Sequence, residues 1–407
     1  MISYLTYRML QEAAVKVNTH STHFEEKFLI SGKPGLAATI KGLRYIVNMI
    51  GRGEVPEVST KIDGIALFFG WTQKGFMLSN KSLFNKEPKM AFSVEDIKAN
   101  WHGGLHPMML AAFEYLPKVC PKDGSIYQGD FLFTPKTLKS VDVDGVPSWA
   151  WHPNIIEYTV SKSSPIGKKV GNAKFGIVVH TRYTWDGVDP KTLGVAEYGV
   201  SRKNFAPSSE VFLIDTISNL SADNGQVGFS AGEWSTAMEL AREASNMTNK
   251  LDWKLISDEW FVNFLLLPYT NGFVRQGRIP SIMNRASGFR SYVEGKMNNE
   301  LSRRKTDKGR QTIMAKYQPY LDIPVKTLVN IYATMDILTA AKNMILDQLN
   351  KYALYKNFVV TKSGDYISTK DEGFVIVKTA ASGLKLVDRL EFSRNNFSKD
   401  IVSGFDK

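Results

Sequence analysis

Four stretches, far apart in the chain, put ionisable side chains at the start or in the middle of apolar, β-branched runs. The first is Lys61-Ile62-Asp63-Gly64, preceded by Thr60 and followed by Ile65-Ala66-Leu67-Phe68-Phe69. A lysine amine has an ordinary pKa of about 10.4, so it becomes a nucleophile only where nearby cations or a metal favour its neutral form. Gly64 lets the backbone approach a ligand closely. The second stretch, Ser125 to Phe133, carries Gly129-Asp130 inside it, and a carboxylate within an apolar strand is costly unless it binds something. In the third, Glu372-Gly373 opens the run Phe374-Val375-Ile376-Val377 between Lys370 and Lys378. The fourth is Leu384-Lys385-Leu386-Val387. In chain order they supply an amine, two carboxylates and a second amine. Each residue also has a plain structural reading: Asp130 as a turn cap, Glu372 as a surface partner of Lys370 or Lys378, Lys385 as a guard on a sheet edge. The joint order is what favours chemistry.

Such residues need a sheet to hold them. Short β-branched and aromatic runs between turn signals predict strands at Ile62–Trp71, Gly75–Ser79, Ser125–Phe133, Ile155–Val160, Phe175–Tyr183, Val195–Gly199 and Glu210–Asp215. Asp144-Gly145 predicts a hairpin turn. Ser93 with Asp96 predicts a capped helix whose apolar residues continue to Val119. From about Ser230 the period becomes helical, at Gly232–Leu251, Ile282–Leu301 and Val325–Tyr352. In the last, Leu328, Ile331, Ile337, Ala340, Ile345, Leu346 and Leu349 suggest the buried stripe. Strands return at Phe358–Lys362, Gly373–Thr379 and Leu384–Asp388. The expected division is an N-terminal helical segment over 1–50, broken at Gly32 to Gly35, a sheet domain built from 51–225 and 355–407, and a helical insertion over 226–354 long enough for its own core.

Composition narrows the class. Of 407 residues, 43% are hydrophobic and 22% charged, which excludes disordered, collagen-like and coiled-coil chains. No run approaches the roughly 18 apolar residues of a membrane span, and Arg8, Glu12 and Lys16 interrupt any signal-like start. The single Cys120 excludes an internal disulfide framework or a Cys-rich zinc site. A cytoplasmic protein without a membrane partner is expected. The six His show no metal-binding spacing, and neither a Walker loop nor a G-x-S-x-G elbow is present. The net charge of +11 is concentrated: Arg275 to Lys316 holds eleven basic and three acidic residues. Arg303, Arg304, Lys305, Lys308 and Arg310 are its densest part and the candidate nucleic-acid contacts; the alternative is a solvated helical face.

The four stretches in their order resemble the covalent nucleotidyltransferases: ATP-dependent DNA ligases, RNA ligases and mRNA capping enzymes. Lys61–Gly64 is similar to the motif whose lysine takes the nucleotide, Gln128-Gly129-Asp130 to the motif with a Gly-Glu pair, Phe175–Thr181 to the segment with a base-stacking aromatic, Glu372–Val375 and Leu384–Val387 to the last two motifs. The continuation from Asp388 to Ser393 is similar to the RNA ligase 2 branch. Lys61–Gly64, Lys81–Lys86 and Tyr127–Asp130 also resemble an uncharacterised group of tailed-phage proteins, which implies host cytoplasm. The resemblance covers about 60–215 and 355–400.

What it implies is an α+β fold: an antiparallel-sheet nucleotidyltransferase domain of the ligase-adenylation type with a large helical insertion and no C-terminal OB domain. The implied substrates are ATP with Mg²⁺ and an RNA or DNA end, RNA slightly preferred. Lys61 would be the nucleophile and Lys385 would stabilise phosphate charge. Thr60, Ile62, Asp63, Gly64, Lys81, Asp130, Phe175, Glu372 and Lys378 would bind nucleotide, with Asp130 and Glu372 on the metal. The sequence departs from the pattern where Ala66 replaces an arginine, Asp130 a glutamate and Val387 a second lysine. A capping or protein-adenylylating enzyme, or a non-catalytic binding protein on the same fold, are the alternatives.

Overall fold

The computed structural model describes residues 23–54, 58–185, 193–194, 196–198, 200–215, 228–352, 355–376 and 384–404. It is a mixed α+β chain whose strands are β1 (Val58–Thr60), β2 (Ile65–Thr72), β3 (Gly75–Asn80), β4 (Ser125–Phe133), β5 (Lys139–Val143), β6 (Val146–Trp151), β7 (Ile156–Ser161), β8 (Phe175–Thr184), β9 (Ala196–Tyr198), β10 (Val211–Asp215), β11 (Lys356–Val360), β12 (Tyr366–Thr369), β13 (Phe374–Ile376) and β14 (Lys385–Leu386). They form three sheets. The central one has the order β10-β8-β4-β2-β3, with β9 paired to β8. The second runs β12-β11-β7-β6-β5, and the third is the small sheet β1-β13-β14. Pairing is antiparallel apart from β10 on β8.

Side-chain alternation in the central strands decides what covers each face. In β2, Leu67 and Phe69 enter a core roofed by the helices Val94–Asn100 and Leu105–Tyr115, while Ala66 and Phe68 point the other way, toward Met77 and Ile126. Phe68 and Phe69 are buried on opposite faces, each stabilising the sheet by roughly 1.5–3 kcal/mol. A further core joins Leu132, Phe133 and Val178 of the central sheet to Trp151, Ile156 and Tyr158 of the second. The β5–β6 hairpin turns at Asp144 and Gly145, both with positive φ, as a tight hairpin turn requires.

The helical part does not stand apart. Leu36, Leu43 and Val47 of the helix Lys27–Gly51 share one core with Leu328 and Ile331 of Val325–Leu349 and with Phe374, Ile376 and Leu386 of the small sheet. The N-terminal helix, the expected insertion and the strands β13 and β14 therefore pack as one body. The helix expected from Ser93 does have its capping box, but it breaks at Trp101–Gly104, where Gly103 takes φ +59°. In Val325–Leu349 the buried side includes Tyr332, Met335, Leu338 and Ala341, whereas Ala340 faces solvent and Ile337 is half-buried. That helix is covered on more than one side, so no single stripe describes it. Among the described residues no helix is long and apolar enough to cross a membrane.

Candidate active site

Three adjacent strands deliver the two amines and one of the acids. Thr60 in β1 pairs with Phe374 in β13, and the Lys61 N–H donates to the Gly373 carbonyl at 2.7 Å. On its other edge β13 pairs with β14, which sets Val375 opposite Lys385. Gly373 makes this possible: its φ is +146°, and a Cβ there would overlap the Leu386 carbonyl oxygen and lie 2.8 Å from Val387 Cγ2. The chain then crosses to the central sheet. A Cβ on Gly64 would sit 2.6 Å from the Phe131 carbonyl oxygen and 2.8 Å from Asp130 Cβ, so only a glycine lets the segment after Lys61 lie against β4 at Asp130.

Asp130 has a partner that sequence motifs do not reveal. Gln128 stands opposite Thr181 and Gly129 opposite Val179, so His180 is an extra residue in β8. A bulge of this kind re-aims a side chain, and His180 Nε2 comes to 3.6 Å from Asp130 Oδ2. Gly129 is required at the bulge because a Cβ would overlap the Val178 carbonyl oxygen.

The electrostatics are those of an incompletely balanced cluster. The Lys61 ammonium donates to Glu372 Oε1; the lysine side chain is 28% exposed and the glutamate 5%. Burial pulls the Lys61 amine down, but Glu372, Asp63 and Asp130 outweigh it and the net direction is up. Burial also raises Glu372, to about 7, with Asp63 and Asp130 adding to the effect and Lys61 opposing it. Its second oxygen, Oε2, is buried without a hydrogen-bond partner. Asp130 is held below the usual carboxylate range: burial raises it, and His180, Lys61 and Lys81 together more than offset that. Lys385 is lowered to about 8, first by burial and then by the charge of Lys61. Lys81 is exposed and opens a turn capped by Asn80, and its charge reaches both Asp130 and Lys385. Two amines, two hard carboxylates and an imidazole thus face one another across a small-sheet/central-sheet junction, an arrangement suited to holding phosphate oxygens and to attack by an amine.

Among the described residues no three His, Cys, Asp or Glu side chains form a metal-binding group. Mg²⁺ commonly takes only one or two carboxylates and completes its shell with water and phosphate. Asp130 and Glu372, the latter with its unpartnered oxygen, fit that mode.

Other expected residues have different places. The Asp63 carboxylate hydrogen-bonds away from Lys61: it accepts from Asn154 Nδ2 and the Ile155 N–H at 2.9 Å each and from the Ile156 N–H at 3.4 Å, while the Asp63 N–H donates to Tyr158 Oη at 2.5 Å. Asp63 therefore ties the lysine segment to the second sheet. Ile62 is buried in the core between the sheets and Thr60 is buried with its hydroxyl unpartnered. Phe175 corrects an expectation: it is wholly buried, 5.5 Å from Phe131 and 6.5 Å from Tyr115 between ring centroids, and has no face for a base. Lys378 lies outside the described residues. Arg303, Arg304, Lys305, Lys308 and Arg310 are exposed around the turn between the helices Ile282–Leu301 and Asp307–Leu321, where Arg310 also donates to the Leu301 carbonyl at 3.3 Å.

Some residues of the site escape the sequence altogether. His23 bridges to Lys385, and burial lowers its imidazole to about 3. Tyr158 caps the Asp63 N–H. Beyond Glu372 lies a cavity of about 200 Å³ lined in part by Asp63, Lys370, Asp371, Asp388 and Glu391; burial raises Asp371 to about 6. The only available signal was adjacency, since His180 lies within the stretch compared with the base-stacking motif.

The chain belongs to a family of unknown function, DUF6267, whose model matches residues 18–400. No curated protein and no solved structure matches it.

Proposed function

We propose that the protein is a covalent nucleotidyltransferase of the polynucleotide-ligase type, taking AMP from ATP onto Lys61 and passing it to the 5′-phosphate of an RNA or DNA end. The convergence of Lys61, Asp130, Glu372 and Lys385 from four separate segments carries this reading.

In the resting state Lys61 is an ammonium paired with Glu372. Attack requires that its proton leave, and Glu372, with its pKa near neutrality, is the acceptor in contact. The neutral amine then attacks the α-phosphorus of ATP: an N–P bond forms, the bond from the α-phosphorus to the bridging oxygen breaks, and pyrophosphate departs with the electron pair. Lys385 faces the charge that develops on the α-phosphate, and Lys81 and His180 flank Asp130 at the same mouth. Asp130 and, while its carboxylate is ionised, Glu372 would hold Mg²⁺, which would supply charge neutralisation for the phosphates. Asp63 keeps the nucleophile's loop fixed through Asn154 and Ile155, and so limits the positions Lys61 can adopt.

The test is intact-protein mass spectrometry after incubation with ATP and Mg²⁺, and in parallel with GTP. One nucleotide adduct on the wild-type chain, absent from Lys61→Ala, is expected. An adduct of equal yield in Lys61→Ala would assign the nucleophile elsewhere, and no adduct with either nucleotide would remove the reaction.

A further inference from the structure

A second surface on the molecule has the chemistry of a single-strand nucleic-acid site. We infer that the recess between Phe264 and Arg303 holds one unpaired base of a polynucleotide against an aromatic face, with cations on the flanking phosphates. The Lys61 site plays no part in this assignment.

The aromatic face is built by the π-helical turn Phe261–Leu266. Phe261 and Leu265 of that turn are buried, which leaves Phe264 pointing outward at 57% exposure. At that exposure most of its ring is open to a contact from solvent. It lies stacked near Trp260, with centroids 6.2 Å apart and planes at 23°, and Trp260 is braced from behind by Tyr317 at 5.3 Å and Tyr320 at 4.9 Å. The platform is therefore rigid and presents a ring to solvent.

Its surroundings are cationic. Lys296 Nζ donates to the Phe264 backbone carbonyl at 3.0 Å, which anchors that amine in the same recess. Lys316 Nζ stands 4.6 Å from the Trp260 centroid and is steadied by Glu300 at 3.3 Å. Arg303 lines the same recess, which has a volume of about 450 Å³. Three cations against one carboxylate, Glu300, leave a net positive mouth on the most basic stretch of the chain. A π-face with cations at its rim is what base stacking plus phosphate neutralisation requires. An unpaired base, unlike a duplex, offers its ring for such contact, so the ligand is single-stranded RNA or DNA.

The experiment measures fluorescence anisotropy of a labelled 12-nucleotide oligothymidylate, and of the uridylate of equal length, with the full chain across a salt series. Phe264→Leu keeps an apolar side chain at an exposed position and removes only the ring; about tenfold weaker binding is expected. Arg303→Ala is expected to lower the slope of log affinity against log salt by about 0.7. Lys61→Ala is expected to bind the oligonucleotide as the wild type does, so a missing nucleotide adduct and a missing platform are separate results. Wild-type affinity in Phe264→Leu would overturn the proposal, as would equal affinity for an abasic oligomer of the same length. Equal competition by polyglutamate would overturn it in favour of an acidic protein partner.

Discussion

Two clusters of four charges sit on neighbouring parts of this molecule and behave differently. In one, Lys342 meets Glu25 at 2.9 Å and Arg389 meets Glu26 at 2.5 Å, with the four side chains between 1% and 12% exposed. Burial pushes the Glu25 carboxyl up, Lys342 and its neighbours pull it further down, and the net direction is down. In the other, Lys61 and Asp130 are 28% and 20% exposed and Lys385 is depressed to about 8; a buried carboxylate oxygen without a hydrogen-bond partner occurs in both, Oε2 of Glu25 and Oε2 of Glu372. The first cluster matches each cation with an acid and ties the turn Phe24–Glu26 to the helices Val325–Leu349 and Arg389–Phe397. The second leaves its charges partly unanswered. Two cations and two carboxylates can thus lie sealed in a core or stay partly open to solvent, depending on how closely each cation is paired and how deeply the pairs are buried.

The contrast is sharpest when the same substitution is made in both places. Lys342→Met strands a buried Glu25 and is expected to destabilise by about 3–5 kcal/mol, read as a shift in the denaturant midpoint. Lys385→Met is expected to stabilise at pH 7, by on the order of 3 kcal/mol. Its folded pKa near 8 is below the unfolded value, so the native state disfavours the ammonium. The wild type recovers that stability as pH rises through 8, and the advantage of Lys385→Met closes toward pH 10.5. A loss of stability in Lys385→Met at pH 7 would show that the second cluster is as fully matched as the first.

A smaller effect is expected at Asp371, beside Glu372. Its folded pKa of about 6 is above the unfolded value, so its contribution to stability is full at low pH and is lost as pH rises through 6. Asp371→Asn keeps the oxygen that accepts from Asn357 and is expected to be more stable than wild type by up to about 3 kcal/mol at pH 8. The difference should vanish below about pH 4. Thermal melts across that range check it; a constant difference would exclude the titration.

Local signals in the chain were good guides where the cause of structure is local. The helix Ile282–Leu301 and the strand Ser125–Phe133 have the expected ends, the Ser93 capping box forms, and Asp144-Gly145 turns the hairpin. Long-range pairing was not legible. Nothing near Asp130 announces that a bulge in β8 will send His180 toward it, and nothing near Asp63 announces Asn154 and Ile155. Phe175 was read by its place in a motif, but the alternation of β8 turns it into the core beneath the helices. Glu25 and Glu26 look like ordinary surface acids until the helix carrying Lys342 covers them. The amine, the two acids and the second amine stand out because each lies at the start of or inside its own recognisable strand run, while their mutual contacts come from the pairing of the small sheet and its junction with β4.

That small sheet has a consequence for biosynthesis. Lys61 and Glu372 are 311 residues apart in the chain, and β1 has β13 as its pairing partner. While the ribosome is still making the helices, the segment bearing Lys61 has no strand to dock on. A translation product that stops before Glu372 carries the lysine without the carboxylate it pairs with and without the strand its segment docks on.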